Sequence, residues 1–273
     1  MKSGLLKKIT AVLLCTSMVF SAAACGSGGG ETAGDEPEVS KQAADIYMAA
    51  GEKMSGLESF TMDINVASRL TSGEDTVEVP VSGAMQYVLN GGSLKEIEYF
   101  MDMTTETMGV TADMDMYYRD GVMYIHVESG EESFGMKMTV PEDQLGSVKQ
   151  YNSFAEISAD MIKSASVEGD TEKKVTMVVQ GDRISDFAAV VSGETETGNT
   201  PSVGDMTFEF TVNEEGYLKD MHMLFDMTYV EGSGETVYSY DMTMVYTGYN
   251  NVDAIEYPDF SDYVDITEEE LAL

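Results

Sequence analysis

Methionines two residues apart recur in this chain and are its residues best suited to hold a ligand. Of 273 residues, 22 are methionine and none is tryptophan. Residues two apart on a β-strand share a face, so each pair would present two thioethers to one side. Thioethers are soft ligands suited to Cu(I), yet methionine also fills core gaps and lines cavities that adapt to variable apolar ligands. The pairs are Met101/Met103, Met114/Met116, Met136/Met138, Met221/Met223 and Met242/Met244.

Our leading hypothesis is that these pairs line a hollow for a lipid or acyl chain, and we expect no metal. The last two pairs lie on strands joined through residues 232–234, so these strands should pair and merge their apolar faces into one wall. Phe154, Ile157 and Met161 would form the opposite wall. The candidate lining residues are Met101, Met103, Met114, Met116, Met136, Met138, Met221, Met223, Phe225, Met227, Met242, Met244, Phe154 and Met161.

The sequence gives little indication of catalytic chemistry. There is no G-x-S-x-G elbow, P-loop or H-E-x-x-H motif. The two histidines, His126 and His222, fall on predicted strands, on the face opposite the methionines. Neither has an evident partner with which it could act as a general base. Asp113 and Asp115 project together, but they do not continue into a calcium-binding EF-hand loop. We therefore predict a protein that is not an enzyme, with no catalytic residue and no cofactor.

The first 25 residues have the pattern of a secretory signal. Three lysines precede an apolar stretch at residues 9–20, small residues follow at 21–24, and Cys25 comes next. This order resembles the lipobox of bacterial lipoproteins, although Ala22 stands where leucine is commonest. The resemblance implies cleavage before Cys25 and a diacylglyceryl group on its sulfur. Ordinary secretion and an uncleaved anchor are the alternatives, and the apolar stretch is short for a membrane span.

Composition limits the partners of the mature protein. The formal net charge of −34 becomes −37 when the three signal lysines are removed. Such a charge excludes nucleic acid and disfavours close docking on an anionic membrane. Loose binding of envelope cations stays open. Only Cys25 would remain after cleavage, so no disulfide can form, which is unremarkable at the surface of a Gram-positive bacterium.

The spacing of apolar residues changes once along the chain from helical to strand-like. Residues 40–57 have an apolar stripe at helical spacing, with Ser40 as the predicted N-cap. From Phe60 onward, apolar and polar residues alternate, which is typical of strands with one buried and one wet face. The segments that depart from alternation are predicted helices at 142–164 and 182–191, a polar loop at 193–203 and a polar tail at 257–273.

Short turns between about 10–11 predicted strands favour antiparallel neighbours and a β-dominated α+β fold. We expect one large sheet that curves into an incomplete β-barrel, with helices packed on its concave face. The predicted organisation is a signal peptide at 1–24, a flexible tether at 25–39, one domain at 40–266 and an acidic tail at 267–273. Two acyl chains on Cys25 would suffice to hold the protein on the outer face of the cell membrane.

The layout resembles the LolA/LppX-like lipoprotein superfamily. The residues that carry this resemblance are the lipobox, the helix end at 55–60, the hairpin at 213–219 and the closing segment at 249–258. The resemblance implies a half-barrel with helices in its hollow, and some members of that superfamily carry acyl chains there. We therefore expect a lipid-anchored extracytoplasmic protein that carries an apolar ligand. The alternative is an envelope interaction or structural module with a filled core and no ligand.

Overall fold

The computed structural model describes residues 38–73, 75–90, 96–107, 109–140, 156–184, 202–231 and 234–266. The predicted signal peptide, Cys25, most of the tether, Phe154 and the acidic tail at 267–273 lie outside these residues. The described part forms one curved sheet with a helix packed on its apolar face.

The helix, α1, spans Glu38–Ser55 and buries one face. It begins inside the segment that we assigned to the tether, so Ser40 is a buried residue of the first turn rather than the N-cap. It ends where the Gly56 N–H donates to the carbonyl of Lys53 at 3.3 Å. Within the described residues, no helix combines the length and the apolar character needed to cross a bilayer.

Thirteen strands make up the sheet in the described residues, more than the predicted 10–11. The two shortest, β9 and β13, hold two residues each, and so short a strand cannot show an alternating pattern. β9 also lies in the predicted polar loop. The bounds are β1 Ser59–Ser72, β2 Asp75–Leu89, β3 Ile97–Thr107, β4 Val110–Arg119, β5 Val122–Ser129, β6 Glu132–Thr139, β7 Ile162–Glu168, β8 Lys173–Val179, β9 Ser202–Val203, β10 Met206–Val212, β11 Leu218–Glu231, β12 Gly234–Tyr249 and β13 Val264–Asp265.

The strand order is β13-β6-β5-β4-β3-β2-β1-β12-β11-β10-β8-β7, with β9 paired to β11. Neighbours are antiparallel except β13, which lies parallel to β6. In the described residues the two ends of this order do not pair, so the sheet is curved but unclosed. The prediction of a single large, β-dominated antiparallel sheet is confirmed. Packing of several helices on its concave face is not, because α1 is the one α-helix among the described residues.

The predicted pairing of the last two long strands is confirmed. Met221 of β11 lies opposite Met244 of β12, and Met223 lies opposite Met242. Sequence alternation and pairing register therefore agree, and the apolar side chains of both strands reach the same face.

Two segments predicted as helices differ in their described parts. In the segment 142–164, Ala159–Met161 forms one 3₁₀ turn and β7 then begins at Ile162. β7 is an edge strand with mostly exposed side chains, so burial alternates weakly along it. In the segment 182–191, the described residues are 182–184, which finish a 3₁₀ turn at Gly181–Arg183. Residues 141–155 and 185–201 are not described.

Residues 250–266, here called the C-terminal strap, cross the sheet on the face opposite the methionines. The ring of Phe260 stacks on Tyr124 with centroids 3.9 Å apart. The hydroxyl of Tyr257 donates to a carboxylate oxygen of Glu98 at 2.8 Å. The predicted polar tail is therefore wrong for residues 257–266. Its aromatic residues recur without a period of two, so the sequence pattern did not show that they pack.

The strap also depends on a glycine in the edge strand β6. A Cβ at Gly135 would lie 2.6 Å from the ring of Tyr263, which covers that position. Beyond this ring the strap pairs as β13 with β6, starting from Val264 opposite Met136. An edge strand that would otherwise present unpaired backbone groups is thereby covered.

Candidate ligand-binding face

A continuous line of buried apolar side chains, here called the methionine row, crosses the sheet and holds a methionine on five of its six strands. Antiparallel pairing places each of its members directly opposite the next, over six neighbouring strands from β1 to β6. All of them are buried. The members are Met62, Met85, Met101, Met116, Ile125 and Met136.

A second line on the same face, the tyrosine row, consists of Tyr87, Tyr99 and Tyr118 on β2, β3 and β4. The rings of Tyr99 and Tyr118 stack at 5.4 Å with an interplanar angle of 10°. Phe60 of β1 extends the line by stacking on Tyr87 at 4.9 Å. Aromatic stacking across strands stabilises such pairs beyond simple burial. These tyrosines were expected on the buried face but were not among the predicted lining residues.

The other half of the apolar face lies under α1. Tyr47 of α1 places its ring edge-on against Phe208 and Phe210 of β10, with centroids 6.0 and 5.6 Å away. Of the predicted opposite wall, Ile157 is buried and Met161 is half-buried against the apolar cluster. The structure therefore brings α1 and the segment before β7 to the predicted side of the sheet.

The predicted lining residues form a closely covered surface. Met101 and Met227 are 0% exposed and Met242 is 1% exposed. Met138 and Met161 are half-buried, and Phe154 lies outside the described residues. The other members of the predicted set that the structure describes are buried, with Met244 the most exposed at 9%. Side chains with so little solvent-accessible surface are packed against their neighbours.

The phenol hydroxyls of the tyrosine row place polar groups on this face. The hydroxyl of Tyr99 donates to the sulfur of Met116 at 3.6 Å. The hydroxyl of Tyr118 is buried without a hydrogen-bond partner. Burial raises the pKa of Tyr87 to about 12 and also raises the pKa of Tyr118, with the nearby charge of Asp120 as a second cause. These phenols therefore stay protonated and act as neutral donors at physiological pH.

The opposite face holds both histidines, as expected, but each has a partner there. Nε2 of His222 lies 2.7 Å from Oδ1 of Asp241. Nε2 of His126 lies 2.7 Å from the hydroxyl of Ser133. Both histidines lie at the surface as predicted, but the prediction that neither has a partner is wrong. Cross-strand partners cannot be read from a sequence before the register is known.

Carboxylates crowd the middle of this opposite face. Asp115 lies directly across from Asp102 on one side and from His126 on the other. Partial burial, followed by the charge of Asp102, raises the pKa of Asp115 above its usual value. Asp113 instead accepts a hydrogen bond from Thr104 at 2.6 Å. Among the described residues, no group of three or more His, Cys, Asp and Glu side chains is arranged to hold a metal ion.

A groove of about 580 Å³ is lined by residues of five neighbouring strands, β2, β1, β12, β11 and β10. Arg69, Glu78, Asp226 and Asp241 contribute to its lining, together with Phe225. No methionine lines it. Arg69 and Glu78 neutralise each other through an ion pair at 2.9 Å. The groove shares Phe225 with the predicted lining residues but none of their methionines.

Fold and site together define a β-dominated protein in which one large curved sheet keeps a methionine-rich face covered. Residues 42–260 match the model of a family described as a family of unknown function, DUF6612, and the chain belongs to this family. No curated protein matches it in sequence.

Solved structures similar to this chain come from several bacteria. LprF from Mycobacterium bovis is 10% identical, with a TM-score of 0.40 and coverage of 80% of this chain and 97% of that one. A DUF1329 family protein from Desulfovibrio piger is 8% identical, with a TM-score of 0.28 and coverage of 80% and 96%. The ywiB protein from Bacillus subtilis is 9% identical, with a TM-score of 0.20 and coverage of 70% and 93%. Likenesses this distant leave the function to be argued from the residues of the chain itself.

Proposed function

We propose that this chain is a non-enzymatic, lipid-anchored protein on the outer face of a bacterial cell membrane. It holds an apolar ligand, a lipid or an acyl chain, against the methionine-rich face of a LolA-like half-barrel. The observation that carries the proposal is the methionine row, which crosses six neighbouring strands with a methionine on each of them except β5, where Ile125 takes the position.

The choice of methionine over leucine in this face supports binding. The four neighbouring strands β3, β4, β5 and β6 contain no leucine. Branched side chains with defined rotamers give a core one packing, whereas unbranched thioethers accept several. Proteins that bind variable apolar partners use methionine-rich surfaces for this reason. The wall would therefore close on itself without ligand and repack when an acyl chain enters.

A second candidate is an envelope interaction module with a filled core. The exposures of 0% for Met101 and Met227 favour it, because these side chains already have packed neighbours. The two candidates differ in one respect. In the carrier, the methionine side chains can adopt several packing arrangements, of which the observed one is the ligand-free form. In the module, the observed arrangement is the only one.

Membrane attachment is proposed from the sequence alone, since Cys25 lies outside the described residues. The lipobox-like pattern supports lipidation of its sulfur, and the glycine-rich residues that follow would tether the domain. With two acyl chains the attachment would be stable. The strong negative charge would keep the domain away from anionic lipid headgroups.

The proposal is tested with the Cys25→Ala chain, because this variant has no acyl chains of its own that could occupy the binding face. Displacement of the fluorescent fatty acid cis-parinaric acid by oleic acid reports binding. Met223→Glu places a charge in the wall and should abolish binding, because a buried unpaired carboxylate is strongly unfavourable. Leu224→Glu is the matched control, since the neighbouring side chain is 37% exposed.

Circular dichroism must first show that both variants keep their strands. Loss of binding in Met223→Glu alone would support the carrier. Equal binding by both variants would place the ligand elsewhere on the protein. Absence of binding in the parent chain would favour the filled module.

A further inference from the structure

The hydroxyl of Tyr118 is the one buried side-chain oxygen or nitrogen without a hydrogen-bond partner among the described residues. The residue is 0% exposed. Its ring stacks on Tyr99, whose own hydroxyl is satisfied by the sulfur of Met116. Of these two stacked tyrosines, Tyr99 therefore has a hydrogen-bond partner for its hydroxyl and Tyr118 has none.

An unpaired buried hydroxyl destabilises a fold, and the desolvation penalty falls on this phenol. Phenylalanine would fill the same position without that penalty. The side chains next to Tyr118 in the pairing register are Tyr99 and Met123. An unpaired donor between a tyrosine whose hydroxyl is already engaged and a methionine can bind an acceptor from outside the protein.

The surroundings also specify the charge of that acceptor. The buried polar residues of the described part are Ser40, Ser59 and Thr105, so no cation is buried there to pair with a carboxylate. Asp120 lies close enough to act on the phenol electrostatically, and it would repel an anionic group. Since a buried unpaired anion is very costly, a neutral oxygen suits this position.

We propose that Tyr118 binds the carbonyl oxygen of a neutral acyl ester whose hydrocarbon chain lies along the methionine row. This inference rests on the proposed function and narrows its ligand class. The phenol O–H donates to the ester carbonyl near the turn between β4 and β5. The acyl chain extends over the thioethers of Met101 and Met116, which repack around it. Tyr118 thereby orients the ligand, and the methionines supply the apolar contact.

The test compares three probes on the full chain carrying Cys25→Ala: monoolein as an acyl ester, oleic acid as a carboxylate, and octadecene as a hydrocarbon. Tyr118→Phe should weaken monoolein binding about tenfold, the effect of one hydrogen bond in an apolar site. Octadecene binding should not change. Without ligand, the same variant should melt at a higher temperature, because it loses the unpaired hydroxyl. Tyr117→Phe is the matched control, since this adjacent residue packs on the opposite face.

A higher melting temperature without ligand, together with a weaker affinity for monoolein, in Tyr118→Phe would support the inference. Unchanged monoolein affinity in a parent chain that binds it would overturn the inference and leave the proposed function standing. A weakening confined to oleic acid would overturn the neutral ester as the ligand class. A lower melting temperature without ligand would show that the hydroxyl has a partner within the protein, and would also overturn it. Failure of the parent chain to bind any probe would overturn both proposals.

Discussion

Truncation of Met101 tests whether the methionine face is packed when no ligand is present. The side chain is 0% exposed and lies between Met85 and Met116 in the pairing register. Met101→Ala removes its outer atoms and leaves a void. Core substitutions of this kind destabilise proteins by about 2–5 kcal/mol. Flexible methionine neighbours can partly collapse into the void, so we expect a loss of about 3 kcal/mol.

Urea unfolding of the delipidated Cys25→Ala chain, followed by circular dichroism, measures this loss. Leu224→Ala is the control, because that side chain is 37% exposed and its removal should change the free energy of unfolding by less than about 1 kcal/mol. Equal slopes of the unfolding curves are needed for the comparison. If Met101→Ala lowered the free energy of unfolding no more than the control does, the face would not be packed in the absence of ligand. The hypothesis that the methionine wall closes on itself would then be wrong.

Three further variants probe the strap, the acidic face and the anchor. Gly135→Ala should lower stability by about 1–3 kcal/mol, since the new methyl group meets the ring of Tyr263; an unchanged melting temperature would contradict that contact. Asp115→Asn should raise the melting temperature at neutral pH. The raised pKa means that the folded state favours the protonated carboxyl, so stability falls as pH rises through that value, and the gain should vanish as pH falls toward the usual carboxyl value of about 4. Cys25→Ala should release the protein into the medium or leave an unprocessed precursor, whereas a cleaved form that still fractionates with membranes would refute lipidation.

Faces and local pairing were predictable from the sequence because a strand has a strict period of two. Alternation alone assigns Met221 and Met223 to one face, and the short turn after β11 makes β12 its neighbour. The same reasoning predicts that Met101 and Met103 share a face. These inferences need only local information, which explains their success.

Long-range alignment could not be read from the sequence. The pairing of β1 with β12 joins strands from opposite ends of the domain, and no local pattern indicates it. The methionine and tyrosine rows likewise emerge only once the registers of several strands are known. Tyr118 looked like any other apolar position of its strand, and its unpaired hydroxyl is a property of the assembled face.

The C-terminal strap was mispredicted for a physical reason. Phe260 and Tyr263 pack from an irregular segment, which has neither helical nor strand spacing. Their partner surface is the face that sequence alternation assigns to solvent. A clearer signal was available in Gly135, since a glycine inside a strand often marks a close approach of another group. Aromatic residues in a late polar segment, together with such a glycine, would have indicated a covered edge.

Mass spectrometry of an organic extract tests the carrier hypothesis most directly. The Cys25→Ala chain is expressed in a native-like host, purified without detergent and extracted whole. If the methionine-rich face carries an apolar ligand, the extract should contain an acyl lipid in stoichiometric amount. Tyr118→Phe should retain less of any ester species. An extract free of lipid from the folded parent chain would contradict the carrier and leave the filled module as the function of this domain.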